Sequence, residues 1–163
     1  MEMPHYYIDT SSSILDLDAY GLTKHLRKVE IVIVQEVLNE IKDRNLKRRL
    51  ARIAADRGPQ KRAAFIPDLY SLDYGERATI TAMACDHTLR KRRRIYVSND
   101  AASLKFVGAE PNHICEGKMD TSEFIINMYR DNIVNMEDMR NVLSCSSRPP
   151  SKECRGRLER LTA

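Results

Sequence analysis

The stretch Ile95-Tyr96-Val97-Ser98-Asn99-Asp100 decides the fold class that this sequence predicts. Its first three residues are β-branched or aromatic, which suits a short strand in a parallel sheet that is covered on both faces. Polar residues and an acid follow directly, and a helical pattern over residues 101–106 ends before Gly108. A strand that leads through an acid into a helix is the repeating unit of an α/β layered domain.

Three further stretches predict strands of the same kind, over residues 6–8, 31–34 and 113–115. Each is short and apolar, without the alternation that a half-exposed strand shows. Helical patterns lie between and after them, over residues 12–20, 35–43, 73–87, 120–129 and 135–143, with another from Lys42 up to Gly58. The alternation predicts one α/β domain, with a parallel sheet, over residues 1–145.

Residues 146–163 are predicted to be a C-terminal tail. The run over residues 144–151 is rich in serine and contains two prolines, as linkers do. We therefore expect the tail to be either a loosely docked short helix or disordered.

The composition is that of a soluble globular protein. The 163 residues are 42% hydrophobic and 31% charged, and no apolar run approaches the roughly 20 residues that span a membrane. A cytoplasmic location is expected, because the N-terminus lacks the features of a signal peptide. The four cysteines form no C-x-x-C pair, which argues against structural zinc and predicts reduced, mostly buried thiols (Cys85, Cys115, Cys145 and Cys154).

Four acids lie at the ends of apolar runs or one turn into a helix: Asp9, Glu40, Glu76 and Asp100. The carboxyl ends of parallel strands and the first turns of the following helices open into one crevice, where these acids can meet. Carboxylates that converge repel one another unless a hard cation neutralises them, and Mg²⁺ or Mn²⁺ is the usual one. The placement therefore predicts a metal site.

Each acid also has a structural interpretation. Glu76 completes a capping box with Asp73, and Asp100 suits a helix N-terminus through the helix dipole. Asp9 suits a helix cap, and Glu40 suits a solvated helix surface. One acid alone would not favour a metal site over these interpretations, whereas four at one predicted crevice do.

Basic residues are concentrated in two segments although the net charge is only +4. Residues 41–62 carry nine Lys or Arg against two Asp, and residues 90–94 are all basic. A polyanion is the natural partner of such a surface, and solvated helix faces are the alternative. The candidate phosphate contacts are Arg44, Lys47, Arg48, Arg52 and Arg77, whereas the 90–94 run precedes a strand and is expected at the opposite end of the sheet.

Four successive motifs resemble those of the PIN-domain nucleases, in order and spacing, from about residue 5 to 145. They are Tyr7-Ile-Asp-Thr-Ser11, Val32-Ile-Val-Gln-Glu-Val-Leu-Asn-Glu-Ile41, Leu72-Asp-Tyr-Gly-Glu-Arg-Ala78 and Val97-Ser-Asn-Asp-Ala-Ala102. The Gly75-Glu76 pair resembles a subgroup in which Gly-Glu replaces the third aspartate. The resemblance implies a Rossmann-like three-layer sandwich with a central, mainly parallel sheet, dependence on Mg²⁺ or Mn²⁺, and cleavage of RNA.

Carried over by position, the resemblance implies that Asp9, Glu40 and Asp100 are catalytic metal ligands and that Glu76 is the third acid. Asp73 is less favoured as a ligand, and Arg77 departs from the common alanine by placing a cation at the pocket edge. Many small members of the family are toxins inhibited by an antitoxin protein, and many are homodimers.

The resulting hypothesis is a metal-dependent endoribonuclease, with an antitoxin and a second copy of the chain as further partners. A non-catalytic RNA- or protein-binding module of the same fold is the alternative, and a nuclease that acts on DNA is a third.

Overall fold

A computed structural model describes residues 3–9, 11–53, 72–89, 93–109 and 114–163. Within these ranges the strands are β1 (His5–Ile8), β2 (Ile31–Val32), β3 (Arg94–Val97) and β4 (Gly117–Met119). The helices are α1 (Ser11–Ala19), a 3₁₀ helix η1 (Thr23–Lys28), α2 (Gln35–Glu40), α3 (Arg44–Ile53), α4 (Tyr74–Leu89), α5 (Ala101–Gly108), α6 (Thr121–Arg130), α7 (Met136–Ser144) and α8 (Lys152–Thr162).

The four strands form one sheet in the order β2-β1-β3-β4, and every pair is parallel. Tyr7 in β1 is in register with Val32 on one side and with Tyr96 on the other. The predicted α/β fold with a parallel sheet is therefore confirmed, and it is consistent with a Rossmann-like sandwich. The carboxyl ends of β1 and β3 are adjacent, because Ile8 is paired with Val97.

Helices cover both faces of the sheet. Successive residues of a strand point to opposite faces. The Tyr6 ring packs against Phe124 of α6 with ring centroids 5.0 Å apart, whereas the Tyr7 hydroxyl donates a hydrogen bond to Asp86 of α4. All residues of β1 and β3 are buried, which is why their sequences are continuous apolar runs rather than alternating ones.

The predicted strand over residues 113–115 is wrong. Ile114 is buried but precedes the strand, which is Gly117–Met119, and His113 lies outside the described residues. β4 is at the edge of the sheet and none of its three residues is fully buried. An edge strand of this kind needs no apolar run. The apolar pattern in the sequence therefore marks buried Ile114, which precedes the strand, and not the strand itself.

Helix boundaries differ from the predicted ones around residue 42. α2 ends at Glu40, and α3 begins at Arg44 because the Asp43 side chain accepts hydrogen bonds from the backbone N–H groups of Asn45 and Leu46, at 2.9 and 3.1 Å. The predicted continuation of this helix to Gly58 lies outside the described residues.

The C-terminal segment contains a docked helix. Ser151 caps α8 by accepting from the Cys154 backbone N–H at 3.1 Å, and Cys154 and Leu158 are buried. Arg155 of α8 also donates to the Leu143 carbonyl of α7, at 2.9 Å. Of the two expectations for the tail, the structure contains the helix; the domain boundary at residue 145 remains a prediction.

Two expectations about surface and core need correction. The four cysteines are free thiols, but only Cys154 is buried, so the expectation of mostly buried thiols is wrong. Arg94, the last residue of the 90–94 run, is only 2% exposed and pairs with Glu116 at 2.9 Å. Arg94 begins β3 and belongs to the core instead of an exposed loop, although it lies at the expected end of the sheet, opposite the carboxyl ends of the strands. Residues 90–92 lie outside the described residues.

No helix among the described residues has the length and apolar character needed to cross a membrane.

Candidate metal centre

Asp9 is a fully buried acid at the carboxyl end of β1. Its backbone N–H donates to the Val97 carbonyl of β3 at 3.4 Å, and its Oδ2 accepts a hydrogen bond from the Tyr96 hydroxyl. Its Oδ1 is buried and has no hydrogen-bond partner among the described residues. Leaving a buried carboxylate oxygen unpaired is costly, so this oxygen is suited to an additional partner.

Burial raises the pKa of Asp9 from 3.8 to about 7. Hydrogen bonds from the side chains of Tyr96 and Ser98 lower the pKa, and the negative charge of Asp73 raises it. Near neutral pH, the charged form of Asp9 is therefore poorly stabilised by the protein alone.

Glu76 lies at the start of α4 and is only 2% exposed. The Glu76 backbone N–H donates to Asp73 Oδ1 at 2.9 Å, and the Asp73 N–H donates to Glu76 Oε2 at 3.3 Å. The predicted capping box is therefore confirmed, and it orients the Glu76 carboxyl group. The capping role and a place in the acidic cluster are compatible in this geometry.

Glu76 and Asp100 share a hydrogen bond between their carboxyl groups. Burial is the main cause that raises the pKa of Glu76 to about 9, and the bond to Asp100 and the charges of Asp73, Asp9 and Asp100 add to it. The bond from Glu76 lowers the pKa of Asp100. Glu76 therefore holds the proton and donates it, while Asp100 is ionised.

Asp100 follows β3 and is the N-cap of α5. Its Oδ1 accepts from the backbone N–H groups of Ala102 and Ser103, at 2.7 and 3.4 Å. Its own N–H donates to Ser98 Oγ at 3.0 Å, and the Ser98 and Ser103 hydroxyls are 3.0 Å apart. These bonds fix the turn that brings Asp100 to Glu76.

Glu40 is the last residue of α2 and is held against the first turn of α4. A Cβ atom on Gly75 would lie 2.8 Å from Glu40 Oε1 and 3.1 Å from Val37 Cγ2, so only glycine allows this approach. Burial and the charge of Asp73 raise the pKa of Glu40, and a hydrogen bond from the Gly75 backbone lowers it. Glu40 therefore lies at the edge of the cluster, close to Asp73 and Gly75.

The structure brings three of the four predicted acids, Asp9, Glu76 and Asp100, into one electrostatically coupled cluster, with Glu40 at its edge. Asp73 belongs to the same cluster although the sequence did not favour it. Its signal was the Asp-x-x-Glu spacing, which was interpreted as a cap. Tyr96, which holds Asp9, carried no separate signal because it lies within an apolar strand.

The predicted basic residues lie on α3 and in the first turn of α4. Arg44, Arg48 and Arg52 are exposed and recur every four residues, so they form one stripe on α3. Lys47 is half-buried on the same helix, which packs against α2. The Arg77 guanidinium carbon lies 5.9 Å from the centroid of the Tyr74 ring, one residue after Glu76.

The donor chemistry of the cluster fits a hard cation, although the side chains are not arranged as a finished metal site. In the described part of the chain, no group of three or more His, Cys, Asp or Glu side chains could hold a metal ion as it stands. A cation would supply the missing partner of Asp9 Oδ1 and would replace the proton between Glu76 and Asp100. All the donors are carboxylate oxygens, which suit Mg²⁺ or Mn²⁺.

Comparison with protein families, with curated proteins and with solved structures gives no match for this chain.

Proposed function

We propose that this protein is a metal-dependent endoribonuclease that hydrolyses RNA phosphodiester bonds with Mg²⁺ or Mn²⁺. The observation that carries the proposal is the convergence of Asp9, Glu76 and Asp100 at the adjacent carboxyl ends of β1 and β3. Three acids from distant parts of the chain meet there, one with a buried oxygen that lacks a partner and two that share a proton. Buried carboxyl groups with shifted pKa values at one place support the proposal, because a bound cation would neutralise them.

In this proposal Asp9, Glu76 and Asp100 hold the ion, with Glu40 at the outer edge. The bound ion supplies a Lewis acid for the phosphate oxygens and lowers the pKa of bound water. The chain's own residues orient the ligands: Tyr96 fixes Asp9, and the capping box fixes Glu76.

The basic residues have a separate role. The stripe on α3 (Arg44, Arg48 and Arg52), together with Lys47 and Arg77, contacts the phosphate backbone, which positions the RNA without selecting its sequence. Support for this role comes from the packing of α3 against α2, the helix that ends at Glu40.

Some parts of the proposal rest on the resemblance of the four motifs. They are the choice of RNA over DNA, a PIN-like three-layer arrangement, inhibition by an antitoxin and homodimer formation. The parallel sheet flanked by helices is compatible with them.

The test combines metal binding with cleavage. Protein stripped with EDTA is titrated with Mn²⁺ in a calorimeter and then incubated with labelled RNA in Mg²⁺ or Mn²⁺. Wild type is expected to bind Mn²⁺ and to cleave RNA. Asp9→Asn is expected to do neither, while its melting temperature stays close to that of wild type. Glu137→Gln on the exposed face of α7 is the matched control. Equal cleavage by pure Asp9→Asn and wild type would overturn the proposal.

A non-catalytic RNA- or protein-binding module is the second candidate. The observation that favours it is that Asp73, Glu76 and Asp100 all have capping roles without a metal. In that case Mn²⁺ does not bind to the stripped protein, and Asp9→Asn leaves RNA affinity unchanged.

A further inference from the structure

A pocket of ≈ 250 Å³ is lined in part by Asn99, the residue that precedes Asp100 of the acidic cluster. It is formed by α1, by the start of α6 and by the segment that leads into α8. Its lining includes Asp16, Tyr20, Asn99, Asp120, Thr121 and Pro149. Asn99 immediately precedes Asp100, so the two Cα atoms are about 3.8 Å apart. The turn at Asn99 and Asp100 is therefore the structural link between the pocket and the cluster.

Thr121 lines the pocket and has a buried polar atom without a partner in the described part of the chain. The residue is only 4% exposed, and its buried Oγ1 has no hydrogen-bond partner among the described residues. Its backbone N–H donates to Asn99 Oδ1 at 3.1 Å, which fixes Thr121 against the residue before Asp100. A buried hydroxyl without a partner is destabilising, so the pocket is suited to a ligand that bonds to it.

The two carboxylates of the pocket are differently engaged. Asp16 accepts from Arg148 at 2.8 Å and from the Asn99 amide at 3.1 Å, and its charge is therefore paired. Asp120 is the N-cap of α6, where its Oδ1 accepts from the Glu123 N–H at 2.8 Å. A carboxylate has about four acceptor positions, so Asp120 is able to accept further hydrogen bonds.

The remaining walls suit a flat ring. Tyr20 is buried and Pro149 is exposed, and both rings belong to residues that line the pocket. The pocket therefore combines apolar walls with two neighbouring polar groups, Asp120 and Thr121. Single-stranded RNA bases are recognised in this way, by stacking on apolar surfaces and by hydrogen bonds to the Watson–Crick edge.

We propose that this pocket binds the base next to the scissile phosphate and selects guanine through Asp120 and Thr121. This inference rests on the proposed ribonuclease function. Guanine presents its N1–H and N2 amino donors side by side, which matches a carboxylate. Uracil places carbonyl oxygens on both sides of its single N–H, and these repel Asp120. We expect guanine to be favoured over uracil by about tenfold or more.

The experiment measures binding and cleavage with short RNA oligonucleotides that differ at one position, which is G, A, C or U. Binding is followed by fluorescence anisotropy and cleavage by gel, both in Mn²⁺. The variants are Asp120→Asn, which keeps a good N-cap, and Thr121→Val, which keeps the shape and removes the hydroxyl. Asp131→Asn makes the same change as Asp120→Asn at the other end of α6 and is the matched control.

Both pocket variants are expected to lose the guanine preference while still binding Mn²⁺ and cleaving the uracil oligonucleotide. Asp131→Asn is expected to retain the preference. Thermal unfolding checks that the variants fold. If Asp120→Asn does not fold, the result for Thr121→Val alone tests the proposal.

The outcomes separate the two proposals. Cleavage without base preference, a preference for another base, or a guanine preference unchanged in both variants overturns the guanine pocket and leaves the ribonuclease standing. Binding that prefers guanine and depends on both residues, without any cleavage by wild type, supports the pocket and overturns the ribonuclease.

Discussion

Glu76 donates a hydrogen bond to Asp100, so the two carboxyl groups share one proton at the carboxyl end of β3. Glu76 is almost completely buried, and Asp100 is fixed as the cap of α5. Without the proton, two like charges would face each other next to Asp9. A bound cation would neutralise these charges in place of the proton.

Glu76→Gln is expected to preserve the fold and to weaken metal binding. The amide NH₂ can donate to Asp100 as the protonated carboxyl does, and the amide oxygen can accept from the Asp73 N–H. A neutral amide cannot neutralise a cation, so Mn²⁺ affinity falls at least about tenfold, the loss seen even for residues that only orient a ligand. Calorimetric titration with Mn²⁺ and thermal unfolding at pH 8 in EDTA measure both effects. Unchanged Mn²⁺ affinity in a folded variant would exclude Glu76 as a ligand.

The metal-free protein is expected to lose stability as pH rises from 5 to 9. The folded pKa values of Asp9 and Glu76, about 7 and about 9, lie above the ordinary values of 3.8 and 4.5. Groups with a raised folded pKa contribute stability that is complete below the ordinary value and is lost as pH rises through the folded value. Melting temperatures in EDTA should therefore fall across this range.

The variants and the metal provide the controls for this pH dependence. Asp9→Asn should flatten the decline up to about pH 7, and Glu76→Gln should flatten it up to about pH 9. Mg²⁺ or Mn²⁺ should restore stability at pH 8, because a ligand that binds only the folded state stabilises it. The same decline in the variants as in wild type would mean that other groups cause it.

Gly75→Ala is expected to displace the Glu40 carboxylate. The new Cβ would lie 2.8 Å from Glu40 Oε1, the end of an exposed side chain that can turn away, and 3.1 Å from buried Val37 Cγ2. The cost in unfolding free energy is therefore expected at the lower end of the about 1–3 kcal/mol that overpacking a core costs. Urea unfolding of Gly75→Ala, Glu40→Ala and the double variant measures the coupling. Gly75→Ala should lower the unfolding free energy by less in the Glu40→Ala background than in wild type, although Val37 remains close. Equal costs in both backgrounds would show that the glycine is needed for another reason.

The parts of the fold that the sequence predicted correctly are those with local signals. The apolar runs of β1 and β3 are fully buried strands, and the Asp73–Glu76 spacing is a capping box. Gly117–Met119 gave no such signal because an edge strand can pair through its backbone without an apolar pattern. The burial of Arg94 gave no local signal, because its partner Glu116 is 22 residues away in the sequence.

The candidate site was predictable only where an acid follows a strand. Asp9 and Asp100 could be placed because parallel strands bring their carboxyl ends together. The pocket beside them depends on Asp16 and Thr121, which reach Asn99 from elsewhere in the chain. No local pattern marks such residues, since their role arises only from tertiary packing.

The stripe on α3 is expected to contribute charge without specificity. Replacing Arg44, Arg48 and Arg52 by Gln keeps good helix formers on an exposed face while it removes three positive charges. If all three contact phosphates, the slope of log affinity against log salt for single-stranded RNA becomes shallower by about 2. Fluorescence anisotropy over a range of NaCl concentrations measures the slope, with Arg140→Gln on α7 as the control. RNA affinity should fall equally for all base sequences, and a slope unchanged from wild type would place the RNA on another surface.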